Sequence, residues 1–155
     1  MTHAVLALGS NLGDRAAALA EAVRRIADLP GVELLAVSRA HESVALTPDG
    51  PDAEAPAYLN SVAAVETVLE PIALLEALNA IEADLGRVRG ERWADRTIDI
   101  DIVVFGEAQL ATDRLTVPHP RAAERDFVLE PWLEIEPEAV IPGRGAVRDL
   151  LKARR

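Results

Sequence analysis

Four strand-like runs interleaved with two amphipathic helical repeats predict an α+β fold for this 155-residue chain. Their order, β-α-β-β-α-β, is the signature of a ferredoxin-like antiparallel sheet with helices packed on it, followed by a C-terminal extension. Half of the residues are hydrophobic, which supports a real core in one domain spanning residues 1–155.

Ala4 to Leu8 is a short apolar run ending at Gly9 and reads as a buried strand. Gly9-Ser10-Asn11-Leu12-Gly13-Asp14 is a turn whose residue types answer backbone needs, although it could still lie beside a ligand, with Asp14 placed to cap a helix. That helix shows Leu19, Val23 and Ile26 on one face and stops near Leu29, before Pro30-Gly31. Val32 to about His41 reads as the second strand, and Thr47 to Pro56, rich in proline and acidic residues, as a loop. Tyr58 to about Leu69 is a valine-rich third strand. Pro71 suits a first helical position; Leu74, Leu78, Ile81 and Leu85 repeat at helical spacing, and Gly86 suits the position just past the end. Arg87 to Arg96 then reads as a loop leading into the strand Arg96-Thr97-Ile98-Asp99-Ile100-Asp101-Ile102-Val103-Val104-Phe105. Gly106-Glu107 predicts a hairpin turn into another short strand. The prolines from Pro118 onward leave room only for short helices, best supported at Ala146 to Lys152.

Composition excludes several classes. No apolar run approaches the ~20 residues of a membrane span, and Met1-Thr2-His3 leads directly into a strand without an export signal, so a cytoplasmic protein is expected. There is no cysteine, which removes disulfides and thiolate metal sites. A formal charge of −10 argues against nucleic acid or an anionic membrane as partner. There is no P-loop and a single lysine, Lys152, so any phosphate must be held by arginine, backbone or metal.

Asp99 and Asp101 carry the strongest chemical signal. Successive side chains of a strand alternate faces, so the two carboxylates project from the same one. Like charges so close raise each other's pKa unless a cation neutralises them, and Mg²⁺ takes carboxylate and phosphate oxygens together. Alone, D-x-D is a weak signal shared by polymerase palms, cyclases and glycosyltransferases. Here four arginines (Arg87, Arg89, Arg92, Arg96) against Glu91 and Asp95 make the preceding segment locally basic. A solvated charge run is the ordinary explanation of such a cluster. Trp93 in its middle could plug the core or stack on a base or an arginine; the nearby carboxylate strand favours phosphate binding by the cluster, and Gly86 and Gly90 would let the segment close over a substrate. His119, between Pro118 and Pro120, is rigidly placed and is either a turn histidine or a donor to phosphate.

Taken in order, Gly9-Ser10-Asn11-Leu12-Gly13-Asp14, Tyr58-Leu59-Asn60, Gly86-Arg87-Val88-Arg89, Arg92-Trp93, Arg96 to Ile102, Val117-Pro118-His119-Pro120-Arg121 and Arg125-Asp126-Phe127-Val128-Leu129 strongly resemble the 6-hydroxymethyl-7,8-dihydropterin pyrophosphokinase family of folate biosynthesis. The likeness runs from about residue 3 to residue 143. It implies a transferase reaction in which ATP, the co-substrate, gives a pyrophosphoryl group to the pterin hydroxymethyl oxygen and releases AMP. It implies two Mg²⁺ ions on Asp99 and Asp101, with Arg87 and Arg96 nearest the phosphates as catalytic residues. ATP would be held by Glu82, Arg89, Arg92, Trp93, Ile102, Arg114, Thr116, His119 and Arg125. The pterin would be sandwiched by Tyr58 and Phe127, with Asn60 on its polar edge and Ser43, Val44, Ala45 and Leu46 beside it. Three features depart from the family pattern: a longer loop from Ser43 to Pro56, Ser43 and Ala45 where threonine and proline are common, and Asp95 where proline is common.

The expectation is therefore a monomeric ATP- and Mg²⁺-dependent pyrophosphokinase acting on small molecules. A palm-type nucleotidyl transferase or cyclase fits the bare residues too, but releases pyrophosphate where a pyrophosphokinase releases AMP. A non-catalytic binding module would leave the arginine segment unexplained.

Overall fold

The structure is a computed structural model that describes residues 1–10, 14–43, 45–47, 50–52, 58–88 and 98–154, with the backbone alone at 45–47, 50–52 and 87–88. In chain order the elements are β1 (Thr2–Ser10), α1 (Arg15–Ala27), β2 (Val32–Val37), β3 (His41–Ser43), β4 (Ala45–Thr47), β5 (Gly50–Asp52) and β6 (Tyr58–Thr67). They continue with α2 (Pro71–Val88), β7 (Asp99–Phe105), β8 (Leu110–Ala111), β9 (Thr116–Val117), a 3₁₀ turn (Ala122–Glu124), α3 (Asp126–Ile135), β10 (Val140–Ile141), β11 (Gly145–Ala146) and α4 (Val147–Ala153).

The main sheet is antiparallel, in the order β2–β6–β1–β7, with β3 paired to the other end of β6. β1 and β6 are central and buried on both faces, as their unbroken apolar runs require. On one face Leu6, Leu8, Val65, Ile100 and Ile102 meet Leu19 and Ile26 of α1 and Leu74, Leu78 and Ile81 of α2. On the other, Val5, Val62, Val103 and Val104 meet Val128, Leu129 and Trp132 of α3 and Val147 of α4. The C-terminal extension is thus a second layer over the sheet face that α1 and α2 leave open.

Several local expectations are met. Asp14 caps α1, its side chain accepting the Ala17 N–H at 3.0 Å. Others are corrected. α2 runs on through Gly86 to Val88, so Gly86 is a helical residue and Arg87 belongs to the helix. The predicted 47–56 loop contains a small hairpin, Ala45–Thr47 pairing with Gly50–Asp52. Gly106 does turn the chain, at φ +54°, but β8 pairs with β9 and not back onto β7. A ten-residue helix, α3, accommodates Pro131 in its interior. Its buried Val128, Leu129 and Trp132 supply the packing that outweighs the missing N–H.

Candidate active site

The site lies where β1 ends and β6 and β7 begin. Gly9 pairs with Asn60 on one side and Asp99 on the other; one pleat further, Ala7 pairs with Val62 and Asp101. Directly paired residues share a face, so Asn60, Asp99 and Asp101 project together on the side covered by α3. Tyr58, two residues before Asn60, joins them. A cleft of about 220 Å³ opens there, lined by Gly9, Ser43, Tyr58, Asn60, Asp99 and Asp101 from the sheet and by Arg125, Phe127 and Val128 from above.

A β-bulge aims the carboxylates. The β1–β7 register shifts between Val5 and Leu6, which pair with Val104 and Ile102, leaving Val103 as the extra residue. Val103 and Val104 both pack against the α3 side, while Phe105 and Ile102 pack against α1 and α2. Without that added residue, strict alternation back from Phe105 would turn Asp101 and Asp99 into the α1–α2 core. The bulge sends Ile98, Ile100 and Ile102 into the core and the two aspartates to the cleft. Two adjacent buried valines ending an Asp-Ile-Asp-Ile alternation are the signal that sequence reasoning passed over.

Asp101 is exposed and Asp99 half-buried, so both oxygen donors are open to the cleft. Among the described residues no group of three or more histidines, aspartates or glutamates gathers as a complete ligand set. Two hard carboxylates with room beside them fit Mg²⁺, which retains ligand positions for water and phosphate oxygens.

Asn60 is buried at 5% exposure, and its Nδ2 donates to Ser43 Oγ at 2.7 Å and to His41 O at 3.2 Å. Its amide nitrogen therefore holds β3, leaving Oδ1 toward Gly9. The Arg125 guanidinium stands 5.5 Å from the Phe127 ring centroid, a cation–π contact at the mouth of the cleft. Outside that mouth, the segment after β9 runs along β7, with the His119 N–H donating to Val103 O at 2.8 Å. His119 Nδ1 accepts the Arg121 N–H at 3.2 Å, so a neutral ring carries its proton on Nε2. Burial pushes its pKa below the usual value, Asp101 opposes that, and Arg125 and Arg121 add to it. The ring is neutral at pH 7 and able to donate.

The remaining candidates divide by place. Glu82 accepts the Ile100 N–H at 3.3 Å, and Ile102 is buried in the α1–α2 core, so both lie behind the strand relative to the cleft. Arg114 is exposed, 3.9 Å from Glu76, and Thr116 is exposed on β9. Arg87, Ala45 and Leu46 are described by backbone only, while Val44, Arg89, Arg92, Trp93 and Arg96 fall outside the described residues. From sequence, Gly9 belongs to a turn that could still lie beside a ligand, and it does line the cleft, but not as a turn residue. Instead it is paired on both sides within β1, with no positive φ, and a Cβ there would stand 3.1 Å from Asn60 Oδ1.

Known proteins resemble the chain both in sequence and in fold. Residues 5–137 match the family described as 7,8-dihydro-6-hydroxymethylpterin-pyrophosphokinase (HPPK). A 2-amino-4-hydroxy-6-hydroxymethyldihydropteridine pyrophosphokinase of Methylorubrum extorquens is 46% identical over 97% of this chain and 92% of its own length. The enzyme of that name from Haemophilus influenzae is 39% identical over 98% of this chain and 92% of its own length. Among solved structures, Plasmodium falciparum wild-type HPPK-DHPS superposes with a TM-score of 0.73 at 15% identity, covering 99% of this chain. An HPPK-DHPS in complex with substrates gives 0.73 at 14% identity, again over 99% of this chain. This chain spans less than half of those two, 44% and 43%, and the likeness to them concerns the fold.

Proposed function

The chain belongs to the 7,8-dihydro-6-hydroxymethylpterin-pyrophosphokinase family, and from that premise we propose how its residues divide the work. The enzyme transfers a pyrophosphoryl group from ATP to the hydroxymethyl group of 6-hydroxymethyl-7,8-dihydropterin, in folate biosynthesis. A bond forms between the hydroxymethyl oxygen and the β-phosphorus of ATP. The bond from that phosphorus to the oxygen bridging the α-phosphate breaks, AMP leaves with the electron pair, and the hydroxyl proton is released.

The observation that carries the assignment of roles is the convergence of Tyr58, Phe127, Asn60, Asp99 and Asp101 on one cleft. Its volume of about 220 Å³ is below the ~300 Å³ at which pockets for drug-sized ligands begin. A flat bicyclic ring fits it better than a whole nucleotide does. The pterin lies between Tyr58 and Phe127, with its edge toward Asn60 and Ser43, and Arg125 closes the mouth. ATP lies outside, along β7, where His119 donates from Nε2 and Arg114, Thr116 and Arg125 supply further donors; Glu82 and Ile102, behind the strand, would meet its base side only at the outer edge of β7.

Asp99 and Asp101 would hold Mg²⁺, with two ions expected, through their carboxylate oxygens. When bound, the metal neutralises the triphosphate and favours in-line attack. Arg87, Arg89, Arg92 and Arg96 add charge at the phosphates, and Trp93 covers the site. The side chains do no covalent chemistry; they position the two substrates and stabilise charge that develops between them.

We also read the β2–β6–β1–β7 sheet as ferredoxin-like and the protein as a single-domain, monomeric, cytoplasmic enzyme with small-molecule partners alone. Among the described residues no helix is long and apolar enough to cross a membrane. Incubation with ATP, Mg²⁺ and 6-hydroxymethyl-7,8-dihydropterin, followed by separation of nucleotides, tests the reaction. AMP appearing in step with pterin pyrophosphate is expected. Release of pyrophosphate, as from a nucleotidyl transferase, or of no product, would overturn it.

A further inference from the structure

We propose that Glu134 is a positioning residue for the pterin: its carboxylate ties the edge strand β3 to α3 and so sets the gap between Tyr58 and Phe127. The inference rests on the reading that the pterin occupies that gap.

β3 is only three residues long, pairing His41, Glu42 and Ser43 with Asn60, Leu59 and Tyr58. A strand this short at a sheet edge is marginal by itself. β2 leaves β6 at Ala63, and Ser38 spans the gap, its N–H donating to Val62 O and its Oγ accepting the Val62 N–H, each at 2.9 Å. Beyond Ser38 the chain needs another anchor, and α3 provides it. Glu134 Oε1 accepts from Arg39 Nε at 2.9 Å and pairs with His41 Nε2 at 3.3 Å, while Oε2 accepts the Arg39 backbone N–H.

The tie bears on the cleft at both ends. His41 O and Ser43 Oγ are the acceptors that orient the Asn60 amide, so a displaced β3 releases Asn60. On α3, Phe127 and Glu134 are seven residues apart, which places them on one side of the helix, two turns or ~10 Å apart. Holding Glu134 against β3 therefore holds Phe127 opposite Tyr58. Glu134 itself does not line the cleft. The Arg39 backbone N–H, its guanidinium and His41 bring the Glu134 pKa down to about 2, so the carboxylate is charged at every working pH.

The test uses the full chain in steady-state kinetics with each substrate varied, beside thermal melts. Glu134→Gln should raise the pterin KM roughly tenfold, with kcat and the ATP KM within about twofold. His41→Ala removes the one Glu134 contact made by β3 itself and leaves the two from Arg39, so it should give the same split to a smaller extent. The double variant should be no worse than the poorer single one, because the two residues act as one unit. Lower melting temperatures with an unchanged pterin KM, or additive effects in the double variant, would overturn the proposal. Phe127→Ala separates the two levels of inference. If it raises the pterin KM and the Glu134 and His41 variants do not, the positioning role alone falls. If Phe127→Ala also leaves the pterin KM unchanged, the cleft reading falls and takes the proposal with it.

Discussion

Gly9→Ala isolates the floor of the cleft. Gly9 is not among the glycines at positive φ, so alanine meets no backbone strain there. Its Cβ would stand 3.1 Å from Asn60 Oδ1 and 3.6 Å from Tyr58 Cδ1. Carbon contacts become favourable at ~3.5 Å, so the first of these must open by a few tenths of an ångström. The Asn60 amide can yield only by stretching its bonds to Ser43 Oγ and His41 O, at 2.7 and 3.2 Å. Overpacking of this kind costs about 1–3 kcal/mol. Against it, replacing a strand glycine by alanine stabilises the fold by about 0.5–1 kcal/mol through the unfolded chain. Folding stability should therefore fall by no more than about 2.5 kcal/mol. The pterin loses more, because the new methyl and the displaced amide both occupy its floor. We expect the pterin KM to rise roughly 10- to 100-fold, with the ATP KM within about twofold. Steady-state kinetics with each substrate varied, together with a urea melt, makes the measurement. A folded variant with an unchanged pterin KM, or with both KM values rising together, would refute this placement of the pterin.

Three further outcomes rest on named contacts. Glu136 accepts from Trp132 Nε1 at 2.9 Å and pairs with His3 Nε2 at 2.6 Å; Glu136→Ala leaves the indole N–H of the buried Trp132 unpaired and should cost about 1–2 kcal/mol. The urea midpoint should fall at constant m with kcat unchanged, and an unmoved midpoint would count against it. Glu134 and Glu21 have pKa values lowered from 4.5 to about 2, by Arg39 first in one case and Arg24 first in the other. Depressed carboxyl pKa values contribute stability that is complete above the unfolded value and is lost as pH falls toward the folded one. Melting temperature should therefore decline between about pH 4.5 and pH 2. That decline should be shallower in Glu134→Gln and in Glu21→Gln, and identical slopes in all three proteins would contradict the assignment.

Much of this site could be read along the strand. Two aspartates at i and i+2 must share a face, and the helical repeats of Leu74, Leu78, Ile81 and Leu85 face the sheet as their spacing requires. What escaped was information carried between segments. The face that Asp99 and Asp101 share is decided by a bulge whose effect is visible only once Val5 and Leu6 are seen paired. The prolines left room only for short helices, and burial of Trp132 and its neighbours let a ten-residue helix run through Pro131. Gly9 carries a composition typical of turns, but space, not φ, is what it supplies. The tie between Glu134 and His41 joins residues 93 positions apart and has no local pattern at all.

The central claim is that the two carboxylates of β7 serve phosphate chemistry and not the fold. Single-turnover formation of AMP by Asp101→Asn, at saturating ATP, Mg²⁺ and pterin, tests it most directly, since the exposed Asp101 can be neutralised without disturbing the core. A rate lower by at least ~10²-fold is expected, in a protein that melts like the wild type. A rate within a few-fold of wild type would contradict it.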